Sequence, residues 1–166
     1  MRTIKRRRKE CKTDYKKRIG FLKSECPRIV FRKTNRYIIS EYITSKEAQD
    51  KTEIGINSKM LVKYGWPKEM TGSLKSIPAS YLTGFLMGKK IILEKKQEPI
   101  FDIGMTRNLH KTKVYAFLKG LVDSGIKMKH KEGIFPEKER IEGKMMKKDF
   151  SKTFNEIKSK IEKEKK

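Results

Sequence analysis

Residues 76–93 carry the longest apolar helical pattern in the chain, and this segment constrains the fold more than any other. Ser76 is a suitable N-cap for the helix that the pattern predicts. Ser80, Gly84 and Gly88 follow at intervals of four residues and therefore form a stripe of small side chains on it. Because glycine inside a helix costs about 1 kcal/mol relative to alanine, we expect compensation from a close approach of the helix backbone to a sheet.

Strand patterns lie on both sides of this helix. Residues 28–33, 37–44 and 52–57 read as three short antiparallel strands, with a tight turn at Thr34-Asn35, where asparagine tolerates a positive φ. Residues 99–104 (PIFDIG) form an apolar run, which indicates a central strand buried on both faces. Because a long helix precedes this run, a right-handed crossover would place it parallel to an earlier strand.

The remaining segments are less regular. Residues 45–50 are expected to form a polar loop and residues 58–64 a short helix, whereas glycine, tryptophan and proline interrupt 65–73 too often for regular structure. A second helix is predicted over residues 112–124, where apolar side chains follow the helical template, with Gly125 as its stop. The predicted fold class is therefore α/β (α+β), a mixed sheet of three antiparallel strands plus a parallel strand, packed by two main helices.

The chain is predicted to divide into three parts. These are a basic arm over residues 1–26, an α/β domain over 27–130, and a C-terminal extension over 131–166. Apolar residues recur at helical spacing in the extension, at Phe150, Phe154, Ile157 and Ile161. This amphipathic tail helix is expected to be available for docking on a partner, because little else in the extension would hold it down.

Charge is concentrated at the start of the chain. The first 36 residues contain 15 Lys and Arg but only three Asp and Glu, and the whole chain carries a net charge of +23. A free protein with such a charge repels itself, so we expect a polyanionic partner, and nucleic acid in particular. Tyr15, Ile19 and Phe21 interrupt the charge, which indicates an arm folded along RNA and disfavours a solvated tail or an import signal.

Several other classes of protein are disfavoured. No apolar run approaches the roughly 18–20 residues of a membrane span, and no apolar segment of the signal-peptide type follows the basic start. Cys11 and Cys26 are too few for a disulfide framework or a self-sufficient zinc site. We therefore expect reduced, incidental cysteines, no membrane association and no cofactor.

Several motifs in one order resemble a known family. They are the arm RRR…KTDYKKR, the hairpin PRIVFRKTN, the loop YGWPKEMTGS, the helix IPASYLTGFLMGKK, the strand PIFDIG and the helix KTKVYAFLKGLVDSGI. Together they resemble universal large-subunit ribosomal protein eighteen in its archaeal form, over roughly residues 6–143. The resemblance implies a cytoplasmic, non-enzymatic constituent of the large ribosomal subunit that holds 5S rRNA in the central protuberance.

The resemblance also implies partners and contact residues. The expected partners are 5S rRNA, the large-subunit rRNA and ribosomal protein five of the large subunit, and no homo-oligomer is expected. In that family the arm and the basic face of the sheet contact RNA. Carried over residue by residue, the implied RNA-binding residues are Arg6, Arg7, Arg8, Lys12, Tyr15, Arg18, Arg28, Arg32, Lys33 and Asn35.

A second candidate site lies at the start of the second predicted helix. Lys111 and Lys113 sit where the helix macrodipole disfavours cations by about 0.3–1 kcal/mol. An anion bound among Arg107, His110, Lys111, Lys113 and the free helical N–H groups would reverse that penalty. Simple solvation of exposed lysines is the alternative, and the sequence leaves both open.

Two other functions share features with this sequence. An RNase H-like nuclease has a similar element order but needs several carboxylates around divalent metal ions. The first predicted strand, PRIVFRKT, has no acid, and Asp102 is a lone carboxylate that we expect to be tied to a backbone amide or a basic neighbour. A non-ribosomal RNA chaperone or assembly factor remains compatible with the charge, and it differs in the lifetime of its RNA complex.

Overall fold

The computed structural model describes residues 3–10, 12–131, 133–146 and 149–163. A four-stranded mixed sheet lies at its centre, in the order β3-β2-β1-β4. The strands are β1 (Arg28–Lys33), β2 (Ile38–Lys46), β3 (Gln49–Asn57) and β4 (Ile100–Asp102). β1 pairs antiparallel with β2, β2 pairs antiparallel with β3, and β4 runs parallel to β1. The predicted fold class is confirmed.

Six α-helices and two 3₁₀ helices accompany the sheet in the described residues, and the longest of them packs against it. The α-helices are α1 (Arg6–Lys9), α2 (Tyr15–Lys23), α3 (Ile77–Leu93), α4 (Lys113–Asp123), α5 (Lys138–Glu142) and α6 (Ser151–Lys163), and two 3₁₀ helices span Ser58–Tyr64 and Lys68–Ser73. Ser76 caps α3, because its hydroxyl oxygen accepts a hydrogen bond from the Ala79 N–H at 3.4 Å. The two main predicted helices are thus confirmed as α3 and α4.

The parallel orientation of β4 is confirmed, but its predicted central position is wrong. β4 is a three-residue edge strand paired only with β1 within the described ranges, and Ile100 is 36% exposed. The apolar side chains of this segment pack on one face of the sheet. There the ring of Phe101 stacks on that of Phe117 in α4, with centroids 5.8 Å apart. An apolar run therefore did not require burial on both faces.

Both hairpin turns differ from the sequence prediction. The first turn lies one residue later than predicted, since Thr34 and Tyr37 are joined by a hydrogen bond from the Thr34 N–H to the Tyr37 carbonyl at 2.9 Å. Asn35 does not adopt a positive φ. The second turn replaces the predicted polar loop over 45–50. β2 and β3 extend to a two-residue connection, Glu47 (φ 50°) and Ala48 (φ 63°), with the left-handed backbone of a type I′ turn.

The short helix predicted over residues 58–64 is confirmed as a 3₁₀ helix, whereas the absence of regular structure after it is not. A second 3₁₀ helix follows over Lys68–Ser73. Its anchor is Trp66, which is fully buried and donates its indole N–H to the Met70 carbonyl at 3.1 Å. Burial of one large side chain thus orders a segment that turn-forming residues would otherwise leave irregular.

The small-residue stripe of α3 faces α4 and not the sheet. A Cβ at Gly84 would clash with the Phe117 carbonyl, and a Cβ at Gly120 in α4 would clash with the Tyr81 carbonyl. The Ser80 hydroxyl donates to the Lys113 carbonyl oxygen at 2.6 Å. The predicted close approach is therefore present, but its partner is a second helix backbone.

The C-terminal helix α6 packs on the same hydrophobic core as α3. The rings of Trp66 and Phe150 lie 4.6 Å apart, and those of Tyr81 and Phe154 lie 5.4 Å apart. Ile157 is fully buried in this cluster. The predicted tail helix is confirmed, but the expectation that little would hold it down is wrong.

Candidate nucleic-acid interface

The predicted arginines at the start of the arm lie on α1 and are exposed. Arg6 pairs with Glu10 at 2.9 Å, and the Arg7 side chain donates to the Thr13 hydroxyl at 2.9 Å. Arg8 approaches the Asp14 carboxylate at 4.0 Å. Exposed pairs of this kind contribute little to stability, typically below about 1 kcal/mol, so these cations are free to exchange their partners for phosphates.

Helix α2 presents the next predicted residues. Its N-cap is Asp14, whose carboxylate accepts a hydrogen bond from the Lys16 N–H at 3.1 Å. Tyr15 is partly exposed, and the Lys5 ammonium lies 4.6 Å from the centre of its ring. Lys12 is exposed and contacts Glu10 at 2.8 Å. The structure thus places all these side chains on one short, solvent-facing arm.

Asp50 at the start of β3 connects the arm to the sheet. One of its carboxylate oxygens accepts hydrogen bonds from Arg18 of α2 at 2.8 Å and from Arg28 of β1 at 2.7 Å. The other accepts from the Ser45 hydroxyl at 2.7 Å. The Arg18 guanidinium also donates to the Ala48 carbonyl at 3.3 Å. The β2–β3 hairpin therefore holds the arm helix through one carboxylate.

The protonation of Asp50 follows from this arrangement. Burial alone would raise the pKa of its carboxyl, but the hydrogen bonds from Arg18 and Ser45 and the charges of Arg28 and Arg18 outweigh burial. The net effect lowers the pKa of Asp50 below its ordinary value. The carboxylate is consequently ionised, and able to hold both arginines, throughout the neutral range.

Arg28 differs from the other predicted contact residues because its side chain is only 6% exposed. Its guanidinium is engaged by Asp50, and its Nε–H has no hydrogen-bond partner among the described residues. The resemblance implies that Arg28 belongs to a basic sheet face that contacts RNA, but all four residues from Arg28 to Phe31 are buried. Arg28 therefore supports the arm through Asp50, with little of its side chain exposed to solvent.

A cleft of about 510 Å³ separates the arm from the carboxyl end of β1. Cations from both sides line it, at Arg7, Lys12, Lys17, Arg18, Arg28, Arg32 and Lys33. Arg32 and Lys33 are exposed and form no ion pair within the described part of the chain. Asn35 lies beyond the cleft, exposed at the hairpin tip. The structure thus brings most of the first predicted set around one space.

The second predicted set surrounds a different cavity of about 570 Å³ at the start of α4. Arg107, Lys111 and Lys113 line it, and the structure adds Lys33 from β1 and Arg140 from α5. His110 does not line this cavity; its ring contacts that of Tyr115 edge-on, with centroids 5.7 Å apart. His110 is thus the member of the predicted set that the fold separates from the others.

Sequence reasoning missed Asp50, Lys17 and Arg140. Asp50 falls in the predicted polar loop over 45–50. The only sequence feature that could have pointed to its role is its negative charge in a strongly basic half of the chain. Arg140 belongs to the extension that was predicted to lie outside the α/β domain, so nothing in its spacing pointed to β1.

The nuclease alternative depends on carboxylates, and the structure engages Asp102 elsewhere. Its carboxylate accepts a hydrogen bond from the Gly104 N–H at 2.8 Å, as predicted for a lone acid tied to a backbone amide. Across the described ranges, no group of three or more His, Cys, Asp and Glu is placed to hold a metal ion. Cys26 is exposed with a free thiol, and Cys11 lies outside the described residues.

Among the residues that the structure describes, none of the helices combines the length and the apolar character that crossing a bilayer requires.

Comparison with known proteins relates this chain to ribosomal proteins. The family model described as "Ribosomal large subunit proteins 60S L5, and 50S L18" matches residues 1–101. The "Large ribosomal subunit protein uL18" of Korarchaeum cryptofilum is 44% identical over 138 residues, which cover 83% of this chain and 69% of that protein. The protein of the same name from Methanoculleus marisnigri is 43% identical over 138 residues, 83% of this chain and 77% of that protein. With matches of this extent, the chain belongs to the uL18 family of large-subunit ribosomal proteins.

Proposed function

We propose that this protein is a structural component of the large ribosomal subunit that binds 5S rRNA and anchors it in the central protuberance. The observation that carries the proposal is the cleft between the arm and β1, where cations from two separate segments face one space. Family membership supports a structural rather than an enzymatic role. Large-subunit rRNA and ribosomal protein five of the large subunit are the further proposed partners.

The charge of the cleft suits a nucleic-acid backbone. Neutralisation of phosphates by Lys and Arg releases counterions, so each contact adds affinity that depends on salt. Arg32 and Lys33 are held on a strand beside the hairpin tip, and a fixed position leaves less side-chain entropy to lose on binding than in a free chain. Arg32 also offers a planar guanidinium suited to bidentate contact.

The first test compares Arg32→Ala with Lys129→Ala. Lys129 is exposed and follows the C-terminal end of α4, whereas the cleft lies at the end of β1. Both variants lose one positive charge. We expect Arg32→Ala to weaken binding to 5S rRNA by about 1–3 kcal/mol, with a smaller effect on an unrelated RNA of equal length. Filter binding at one salt concentration measures both. Equal losses in the two variants would mean that the cleft contributes only non-specific charge.

The second test separates a ribosomal protein from an RNA chaperone or assembly factor. A structural component should sediment with the large subunit after a high-salt wash, in a one-to-one ratio to 5S rRNA. Release of the protein under that wash, with only transient crosslinks to RNA, would favour the chaperone instead.

A further inference from the structure

The cavity at the start of α4 differs from the arm cleft in its walls. Five segments form it: the end of β1, the start of α3, the loop after β4, the first turn of α4, and α5. Its volume of about 570 Å³ is enclosed partly by apolar side chains, namely Ile77, Leu109 and Val114. Leu109 is 58% exposed, so it offers apolar surface to whatever occupies the cavity.

Its rim is strongly basic and almost without counter-charges. Lys33, Arg107, Lys113 and Arg140 form no ion pair with any described residue, and Lys111 reaches Glu137 only at 3.5 Å. Burial lowers the pKa of the Lys113 ammonium, and the charges of Lys33 and Lys75 lower it further. Like charges held together in this way repel one another in the free protein, so an anion among them would be bound with relief of that repulsion.

An apolar wall beside a cationic rim favours a ligand that carries both an apolar surface and a negative charge. Free phosphate would use the cations but leave the exposed Leu109 uncovered. A continuous RNA duplex keeps its bases paired and stacked, and it presents mainly phosphates and sugars to such a rim. An unpaired nucleotide supplies a flat apolar base and a phosphate on one short unit, and unpaired bases are the usual targets of specific RNA recognition.

We propose that this cavity binds one unpaired nucleotide of RNA, with its base against Leu109 and Ile77 and its phosphate among Lys33, Lys113 and Arg140. The proposal rests on the proposed function in that both require RNA as the partner. It adds a second contact, continuous with the arm cleft through Lys33, which lines both spaces. The arm cleft then contacts the phosphates of the RNA backbone, and the cavity contacts one base that is not stacked on its neighbours.

The test uses two defined probes, a single-stranded RNA of about ten nucleotides and a blunt duplex of the same strand with its complement. The variant is Leu109→Ser, and the matched control is Leu93→Ser, a leucine that is 37% exposed at the end of α3. Because Leu109 is largely exposed, its replacement should leave the melting temperature unchanged. We expect Leu109→Ser to weaken single-strand binding about fivefold or more, with duplex binding and the Leu93→Ser control unaffected.

A second variant tests the rim. Lys113→Gln should reduce the dependence of log affinity on log salt by about 0.7 for the single-stranded probe, whereas Lys129→Gln should not. A photoreactive uridine in the same probe should crosslink to the peptide that contains Leu109. Equal losses of single-strand and duplex binding in Leu109→Ser, or crosslinks confined to the arm, would overturn the nucleotide site. Wild-type binding of 5S rRNA is measured in parallel, so failure of the proposed function would be recognised separately.

Discussion

Helices α2 and α6 lie near opposite ends of the chain and carry the same number of cations, four Lys or Arg each, yet they are held by different forces. α2 has no buried residue and is attached to the sheet through Arg18 and Asp50. α6 buries Phe154, Ile157 and Ile161 in the core. Basic composition therefore says little about the role of a terminal segment; the spacing of its few apolar residues decides whether it becomes core or remains available to RNA.

The largest difference between the two helices is expected from loss of one isoleucine side chain. Ile157→Ala should lower the free energy of unfolding by about 2–5 kcal/mol, the range for a buried large-to-small change. Ile19→Ala in α2 should stay within about 0.5 kcal/mol, because Ile19 is 53% exposed. Urea titration of both variants measures the contrast. Similar losses would show that the arm contributes to the core after all.

An intermediate effect is expected from neutralising the carboxylate that holds the arm. Asp50→Asn removes the charge opposite Arg18 and the buried Arg28, and an under-satisfied buried donor costs about 1–3 kcal/mol. The arm helix should also become more accessible to trypsin, while cleavage in α6 stays slow. Glu98→Gln is the matched control, since Glu98 is exposed and has no ion pair among the described residues. Unchanged trypsin cleavage of the arm would show that Asp50 does not hold it.

The smallest effect is expected from lowering the pH, which should weaken the attachment of α2 only under acidic conditions. The folded state lowers the pKa of Asp50, so its contribution is fully present above the unfolded value near 3.9 and is lost as pH falls through the lower folded value. Amide signals of α2 should therefore change below about pH 4 before those of α6. Detachment of α2 between pH 7 and 5 would contradict the pairing with Asp50.

Apolar periodicity made the helices α3, α4 and α6 and the strands β1 to β3 predictable from the sequence. The edge position of β4 was not, because an apolar run of its length does not distinguish one covered face from two. The grouping of Arg18, Arg28 and Asp50 was not predictable either. Arg18 and Asp50 are 32 residues apart, and charge identifies possible partners without selecting one. The I′ turn at Glu47-Ala48, which has no glycine or asparagine, brings Asp50 to the arm and left no turn signature.

The close approach of α3 and α4 at Gly84 and Gly120 also bears on how the molecule opens. Each glycine meets main-chain atoms of the other helix, so no rotamer change on one side can make room for a side chain on the other. Neither position can then be compensated by a substitution at its partner, and both are restricted to glycine independently. To expose these glycines to solvent, α3 and α4 must also move apart along their whole contact in one cooperative step. The amide protons of α3 and α4 that flank it should therefore exchange with solvent deuterium through a single shared opening, at rates set by unfolding of the pair.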